Sequence, residues 1–327
     1  MIIVRSPLRI SLGGGGTDFH SYYSKFGGEL LTAAIDKYVY VSITKPFIKG
    51  YFLKYSKQEK TNDINKIEHD IIRETIRYID KRIDQIEIIT LADIPAGTGL
   101  GSSGSFTSAL IFAIHAYKGV YIEKKDLAEA ACHVEIDILK EPIGKQDQYI
   151  TSFGGINNII FKKNNEIKVN PLQLNNEIIY KMEDNLLLFF TGYSRKASNI
   201  LLDQDKRSKS NETDIINNLD YVKKLGILSK KALEKGNLDE LGEIMNEHWE
   251  NKKKRSKGMS NDKINYWYNA ALENGAIGGK LVGAGGGGFL MFVAKDRAKL
   301  RKKMAEFKLE EVRFRFDYEG TKIMMRS

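Results

Sequence analysis

The chain has a single cysteine, Cys132, among its 327 residues, together with five prolines and two tryptophans. One cysteine excludes an intramolecular disulfide and a cysteine-based zinc cage, and the five histidines show no HExxH-type ligand spacing. No run of about 18 apolar residues occurs, so no membrane-spanning helix and no membrane partner are expected. The opening MIIVRSPLRI places an arginine where a signal peptide needs its apolar stretch, which points to a cytoplasmic protein. HRD and DFG are both absent, which argues against a protein kinase. A Walker A loop is missing too: Lys280 is followed by Leu281, and Asn274 stands where the first glycine should be.

What remains is ordinary globular composition, 42% hydrophobic and 28% charged, with length enough for two domains. The net charge of +9 favours anionic partners. Much of the lysine lies on helical segments that also carry glutamate, such as 223–254, and reads as a solvated face. Only Lys252 to Arg255 forms a basic run, and it lacks the interleaved aromatics of a single-strand groove, so nucleic acid is not an expected partner.

Strand-like runs fall near 2–5, 38–45, 86–92, 156–161, 186–191, 279–283, 288–294 and 312–317. Helical spacing covers 64–82, 103–118, 124–140, 214–235, 238–254, 261–274 and 296–307. The polar, asparagine-rich KKNNEIKVNPLQLNNE beginning at Lys162 suits a crossing between domains. An α+β chain of two parts, 1–175 and 176–327, follows.

The glycines are unevenly placed: 16 of the 29 fall in windows 13–16, 97–104 and 275–288, where even spreading would put about two. The central window, Pro95-Ala96-Gly97-Thr98-Gly99-Leu100-Gly101-Ser102-Ser103-Gly104-Ser105, lies between a strand and a helix. That arrangement presents bare N–H groups and a helix dipole to phosphate, with serine hydroxyls for phosphate oxygens or Mg²⁺. Gly99 to Gly104 also matches GxGxxG, so a dinucleotide-binding oxidoreductase is the alternative. Against that reading, no strand ending in an acidic residue follows about 20 residues on. In the first window Arg9 closes a strand and Asp18 follows a glycine loop; Asp18 could accept from sugar hydroxyls or cap a helix beginning at Phe19. Glu135, before Pro142, and Asp147, in the loop reading Gly144-Lys145-Gln146-Asp147-Gln148, could serve as metal ligand and proton acceptor, or be surface charge. The hairpin from Lys280 to Phe292 could exist for tight packing alone.

Together these segments resemble the GHMP small-molecule kinase family, from Pro7 to Phe292. PAGTGLGSSGS at 95–105 is similar to that family's phosphate loop and the hairpin at 280–292 to its KxxGAGxGG motif. The resemblance implies an N-terminal ribosomal-protein-S5-like domain, a ferredoxin-like C-terminal domain, and an active site between them using ATP and Mg²⁺. It implies phosphate binding by Pro95, Gly97, Gly99, Leu100, Gly101, Ser102 and Ser103, metal binding by Ser103 and Glu135, and catalysis by Asp147 with Arg9. Thr17 and Asp18, with Gly15, Gly16, Gly285 and Gly286, would face the substrate. Gly15-Gly16 stand where galactokinases carry Glu-His. PLRISLGGGGTD, SYYSKFGG, GKQDQY and GAGGGG resemble the branch that phosphorylates the anomeric hydroxyl of D-glycero-D-manno-heptose 7-phosphate, with fucokinase-type members similar in the first motif. A sugar phosphate needs a second cationic site: Arg195 and Lys196 are the first candidates, Lys252 to Lys254 the second. A monomer or homodimer is expected.

Overall fold

Strands β1 (Ile2–Gly13) and β2 (Gly28–Thr44), joined through helix α1 (His20–Phe26), form an antiparallel ladder in which most residues of β1 are buried. The computed structural model describes residues 1–192, 198–255 and 258–327. Both strands run well past the expected 2–5 and 38–45. Strands buried on two faces lose the alternation that marks a strand in sequence. The ladder shifts register after Pro7, which has no N–H to contribute.

The chain continues through β3 (Gly50–Lys54), β4 (Gln58–Thr61), α2 (Asp70–Asp80) and β5 (Gln85–Ala92). Next come α3 (Ser102–Tyr117), α4 (Lys124–Cys132), α5 (Gln146–Phe153), β6 (Ile156–Phe161) and β7 (Ile167–Pro171). Helix α4 runs on into a π-helical turn, His133–Ile138, rather than the single α-helix expected over 124–140. The second half holds α6 (Asn176–Asn185), β8 (Leu186–Phe190), α7 (Ser198–Lys209), α8 (Thr213–Glu234), α9 (Leu238–Lys253) and α10 (Asp262–Glu273). It closes with β9 (Ala276–Leu281), β10 (Phe289–Ala294), α11 (Arg297–Glu306), β11 (Glu310–Glu311) and β12 (Lys322–Arg326).

Two sheets result. The first has eight strands in the order β12-β1-β2-β5-β3-β4, with β6 also paired to β2 and β7 to β6. The second is a four-stranded antiparallel sheet ordered β11-β8-β10-β9. Helix α3, which carries no Lys, Arg, Asp or Glu, is apolar all round and accordingly buried against β1 and β2. Its Ala109, Leu110 and Ile114 pack with Val4, Val41, Ile43 and Ile88 on one face of the first sheet. Further along the same two strands, Leu8, Ile10, Leu31 and Ala33 join a core shared with Leu225, Met245, Phe289 and Met291 of the second half.

Two expectations need correction. Residues 312–317 form no continuous strand: Val312 N–H donates to Leu188 O, whereas Asp317 N–H donates to Ala34 O, so this stretch crosses from one sheet to the other. After that crossing β12 pairs antiparallel with β1, which sets the end of the 176–327 portion in the first sheet. Among the described residues no helix is long and apolar enough to cross a membrane.

The halves meet closely where β1 runs out against α8. A Cβ on Gly226 would lie 2.8 Å from the Gly14 nitrogen, and one on Gly13 the same distance from the Gly226 Cα. Helix propensity favours alanine over glycine by about 1 kcal/mol in an open helix. Here Gly226→Ala is expected to lower the thermal midpoint instead, because backbone rather than a movable side chain receives the methyl group. Differential scanning calorimetry of the variant checks the sign.

Candidate active site

Residues Asp93 to Gly101 carry the chain from β5 to the start of α3. Gly101, the residue before that helix, has φ +77° and gives the helix no capping side chain, so its first amides are left to another partner. The third glycine window packs directly on this loop. A Cβ on Gly99 would come 2.7 Å from the Val282 carbonyl, and one on Gly283 2.5 Å from the Gly99 Cα. The glycines of the hairpin are therefore explained by backbone meeting backbone.

Beside the loop, Arg9 grips Asp147 with a two-pronged hydrogen bond: Nε to Oδ1 at 2.7 Å and Nη2 to Oδ2 at 2.8 Å. Its Nη1 donates to the Gly99 carbonyl at 2.5 Å, and its own backbone N–H donates to the Leu100 carbonyl at 2.9 Å. Asp147 lies in the first turn of α5, a helix read from sequence as a loop, where the dipole favours a carboxylate. Asp18 is buried and accepts from the N–H groups of Gln146 and Gly16, both at 3.0 Å. Burial pushes its carboxyl above the usual range, against those hydrogen bonds. The capping alternative fails, because α1 begins without a side-chain cap.

Glu135 projects from the π-helical turn, fully buried, accepting from the Ser103 hydroxyl and from Gln148 Nε2 at 2.7 Å. Burial pushes its carboxyl up to about 7. A wider π turn re-aims a side chain that a regular helix would hold elsewhere, a common device at functional sites.

Arg9, Asp18, Glu135, Asp147, Gly97, Gly99 and Gly101 to Ser103 surround one cavity of about 520 Å³, to which the second half contributes Lys280, Gly283 and Gly285. Of the expected residues, Gly15, Gly16, Gly97, Gly99, Gly101, Ser102, Ser103 and Gly285 line it. Four do not. Pro95 and Leu100 stay off the wall, Leu100 being part of the shared core. Thr17 is buried with its hydroxyl on the carbonyls of Gly14 and Glu29, so it holds the loop closed. Gly286 donates its N–H to the Met259 carbonyl. Arg195 and Lys196 lie outside the described residues.

The cavity also takes in His248, Lys252 and Arg255, together with Lys280. The first three are spaced four and three residues apart, so they share one side of α9 and its C-terminal extension. That spacing was the available signal. Lys253 and Lys254 take no part in the wall, and Lys253 pairs with Glu250 on the surface.

A glycine loop at a helix start, an arginine-held aspartate and a wall of cations around one cavity define a phosphotransferase acting on a small molecule. Comparison with known proteins gives the family: residues 70–155 match the GHMP kinases N terminal domain and 229–309 the GHMP kinases C terminal region, and the chain belongs to the GHMP kinases. It is 31% identical to the D-glycero-alpha-D-manno-heptose 7-phosphate kinase of Campylobacter jejuni, over 98% of both chains. The L-fucokinase/L-fucose-1-P guanylyltransferase of Bacteroides fragilis is 27% identical over 92% of this chain and 36% of its own length. Among solved structures, a D-glycero-D-manno-heptose 1-phosphate kinase from Bacteroides thetaiotaomicron superposes with a TM-score of 0.81 at 26% identity, covering all of both chains. The fold is the two-domain α+β fold of this family, the enzyme is a sugar kinase, and the oxidoreductase alternative is set aside.

At Gly101 an alanine would have to hold a left-handed conformation, with its Cβ 3.0 Å from Arg9 Cγ and 3.2 Å from Asp147 Oδ2. Gly101→Ala is expected to cost about 1–2 kcal/mol of stability. Steady-state kinetics set beside a urea melt should show turnover falling by more than that loss explains.

Proposed function

We propose that the protein transfers the γ-phosphoryl group of ATP to the anomeric C1 hydroxyl of D-glycero-D-manno-heptose 7-phosphate. The product would be the 1,7-bisphosphate, a precursor of GDP-heptose for surface polysaccharide, made in the cytoplasm. The observation that carries this reading is the contact of Arg9 with both Asp147 and the Gly99 carbonyl, which sets a proton acceptor directly against a phosphate-binding loop. The near full-length relative from Campylobacter jejuni supports the choice of sugar.

In this mechanism the loop from Gly97 to Ser103 and the first amides of α3 take the β- and γ-phosphates. Asp147 orients the hydroxyl and accepts its proton, the oxygen–phosphorus bond to the γ-phosphoryl group forms as the bond to the β-phosphate oxygen breaks, and ADP leaves. Arg9 fixes the carboxylate and offsets charge developing on the transferred group. An anomeric hydroxyl is more acidic than an ordinary alcohol, so orientation can replace complete prior deprotonation. Asp18 accepts from sugar hydroxyls.

The family resemblance implies Mg²⁺, and the residues present fit it. Ser103 and Glu135 offer hard oxygen donors on the cavity wall, and the buried Glu135 carboxylate has no cation paired with it among the described residues. No cage of three His, Cys, Asp or Glu is found among those residues, which suits an ion held by one or two protein ligands together with nucleotide phosphates. Mg²⁺ would neutralise phosphate charge.

Asp147→Asn keeps the size of the side chain and removes the acceptor. It is expected to lower kcat about 100-fold or more, and also to lower the thermal midpoint, because Arg9 is left buried without its charged partner. A coupled ADP-release assay, run with heptose 7-phosphate, heptose 1-phosphate and free L-fucose, checks both the residue and the sugar. Turnover confined to fucose would move the protein to the fucokinase-like alternative.

A further inference from the structure

Four basic groups in the cavity wall have no evident task in phosphoryl transfer. Lys252, Arg255, Lys280 and His248 are each 7% exposed or less, and none makes an ion pair among the described residues. Arg255 is held by neutral acceptors alone: Nε donates to Asn218 Oδ1 at 3.0 Å, and Nη1 to Gln204 Oε1 at 3.2 Å and the Gly15 carbonyl at 3.3 Å. Its Nη2 is buried with no partner. The Lys280 ammonium has no acceptor among the described residues, although it lines the cavity. Lys252 uses two of its three N–H groups on the carbonyls of Leu281 and Gly283.

These charges repel one another as well as being buried. Lys280 feels both Arg9 and Arg255, and burial with that repulsion brings its ammonium down to about 7. Lys252 and His248 are lowered by the same two causes. Buried, unpaired cations are unfavourable unless an anion joins them. Of the nearby carboxylates, Asp147 is taken by Arg9, and Asp18, held by two backbone amides, attracts Arg255 without forming an ion pair with it. Lys280 and Lys252 have no carboxylate partner among the described residues, so an anion that stabilises their charged forms comes from outside the chain.

Position says which anion. Arg255 lies against the Gly15–Asp18 segment: it donates to the Gly15 carbonyl, and a Cβ on Gly16 would come 2.5 Å from its Nη1. The bare Gly15-Gly16 pair thus leaves the guanidinium its place next to Asp18. We propose that Arg255 and Lys280, supported by Lys252 and His248, receive the phosphate ester that a sugar-phosphate substrate already carries, at a subsite separate from the cradle for ATP. This rests on the sugar-phosphate kinase reading and adds to it where the second phosphate goes. Two positive charges and a planar fork with a free N–H match a dianionic phosphomonoester. With the ester anchored there, the sugar presents its opposite end to Asp147.

The test compares heptose 7-phosphate with unphosphorylated heptose by isothermal titration without ATP, in wild type, K280M, K280R and R255Q. Wild type should prefer the phosphorylated sugar by about 100-fold. K280M and R255Q should cut that preference at least about tenfold while KM for ATP moves less than about threefold, and K280R should retain most of it. K280M should also hold or raise the thermal midpoint, since it removes a buried unpaired charge; a merely structural lysine would lower it. An unchanged preference, equal losses on both sugars, or a KM for ATP rising in step with the loss would overturn the assignment. Failure of the functional reading looks different: the wild-type enzyme would then transfer phosphate to no sugar phosphate, whatever it binds.

Discussion

The arginine–aspartate clasp between β1 and α5 is the interaction on which the site depends. Arg9 comes from the first strand, Asp147 from a helix 138 residues later, and the third hydrogen bond reaches the loop in front of α3. One guanidinium thereby ties together three pieces of chain that also pack on one another. The arginine side chain is 8% exposed and the aspartate 27%, so the cation is shielded while the carboxylate keeps an open side. A lysine could supply the charge but not three donors in a rigid plane.

The glycine loops and the cations solve one problem from two directions. Anions must come close to backbone amides, which requires an absence of side chains, and their charge must be met in a space that water has left. Gly99 and Gly283 let the two loops meet backbone to backbone, and the basic side chains of the second half line the same cavity. Such a wall is destabilising while empty, the usual relation between a binding site and the fold that carries it.

Much of this was legible in the residues. The uneven glycines marked the loops, and the strand before and helix after the central one marked a helix start open to phosphate. Strands β5, β6, β8 and β10 were found because their apolar runs are short and bounded by turns. The middle of β1 was missed although Leu8 to Leu12 alternates as a strand does, because Pro7 stands before it and a run of glycines follows. Helix α5 was hidden because eight residues opening on Gln-Asp-Gln give little helical periodicity. Thr17 looked like a sugar contact, since nothing in a sequence tells a hydroxyl aimed at substrate from one closing its own loop. The cationic wall was half visible: a basic run could be seen, but which of its members turn inward depends on helical phase and on a lysine 25 residues beyond Arg255.

The crossing of residues 312–317 and the return of β12 to the first sheet carry a further consequence for how the molecule is made. Strand β1 has β2 along one side from an early stage, but its other side waits for the segment Lys322–Arg326. As the polypeptide leaves the ribosome, the first sheet therefore keeps an unpaired border until Lys322–Arg326 has emerged. An open border of this kind is a template for pairing with other chains. The two halves consequently share one sheet, in which β1 is closed by a segment that follows α11 and β11 in the chain.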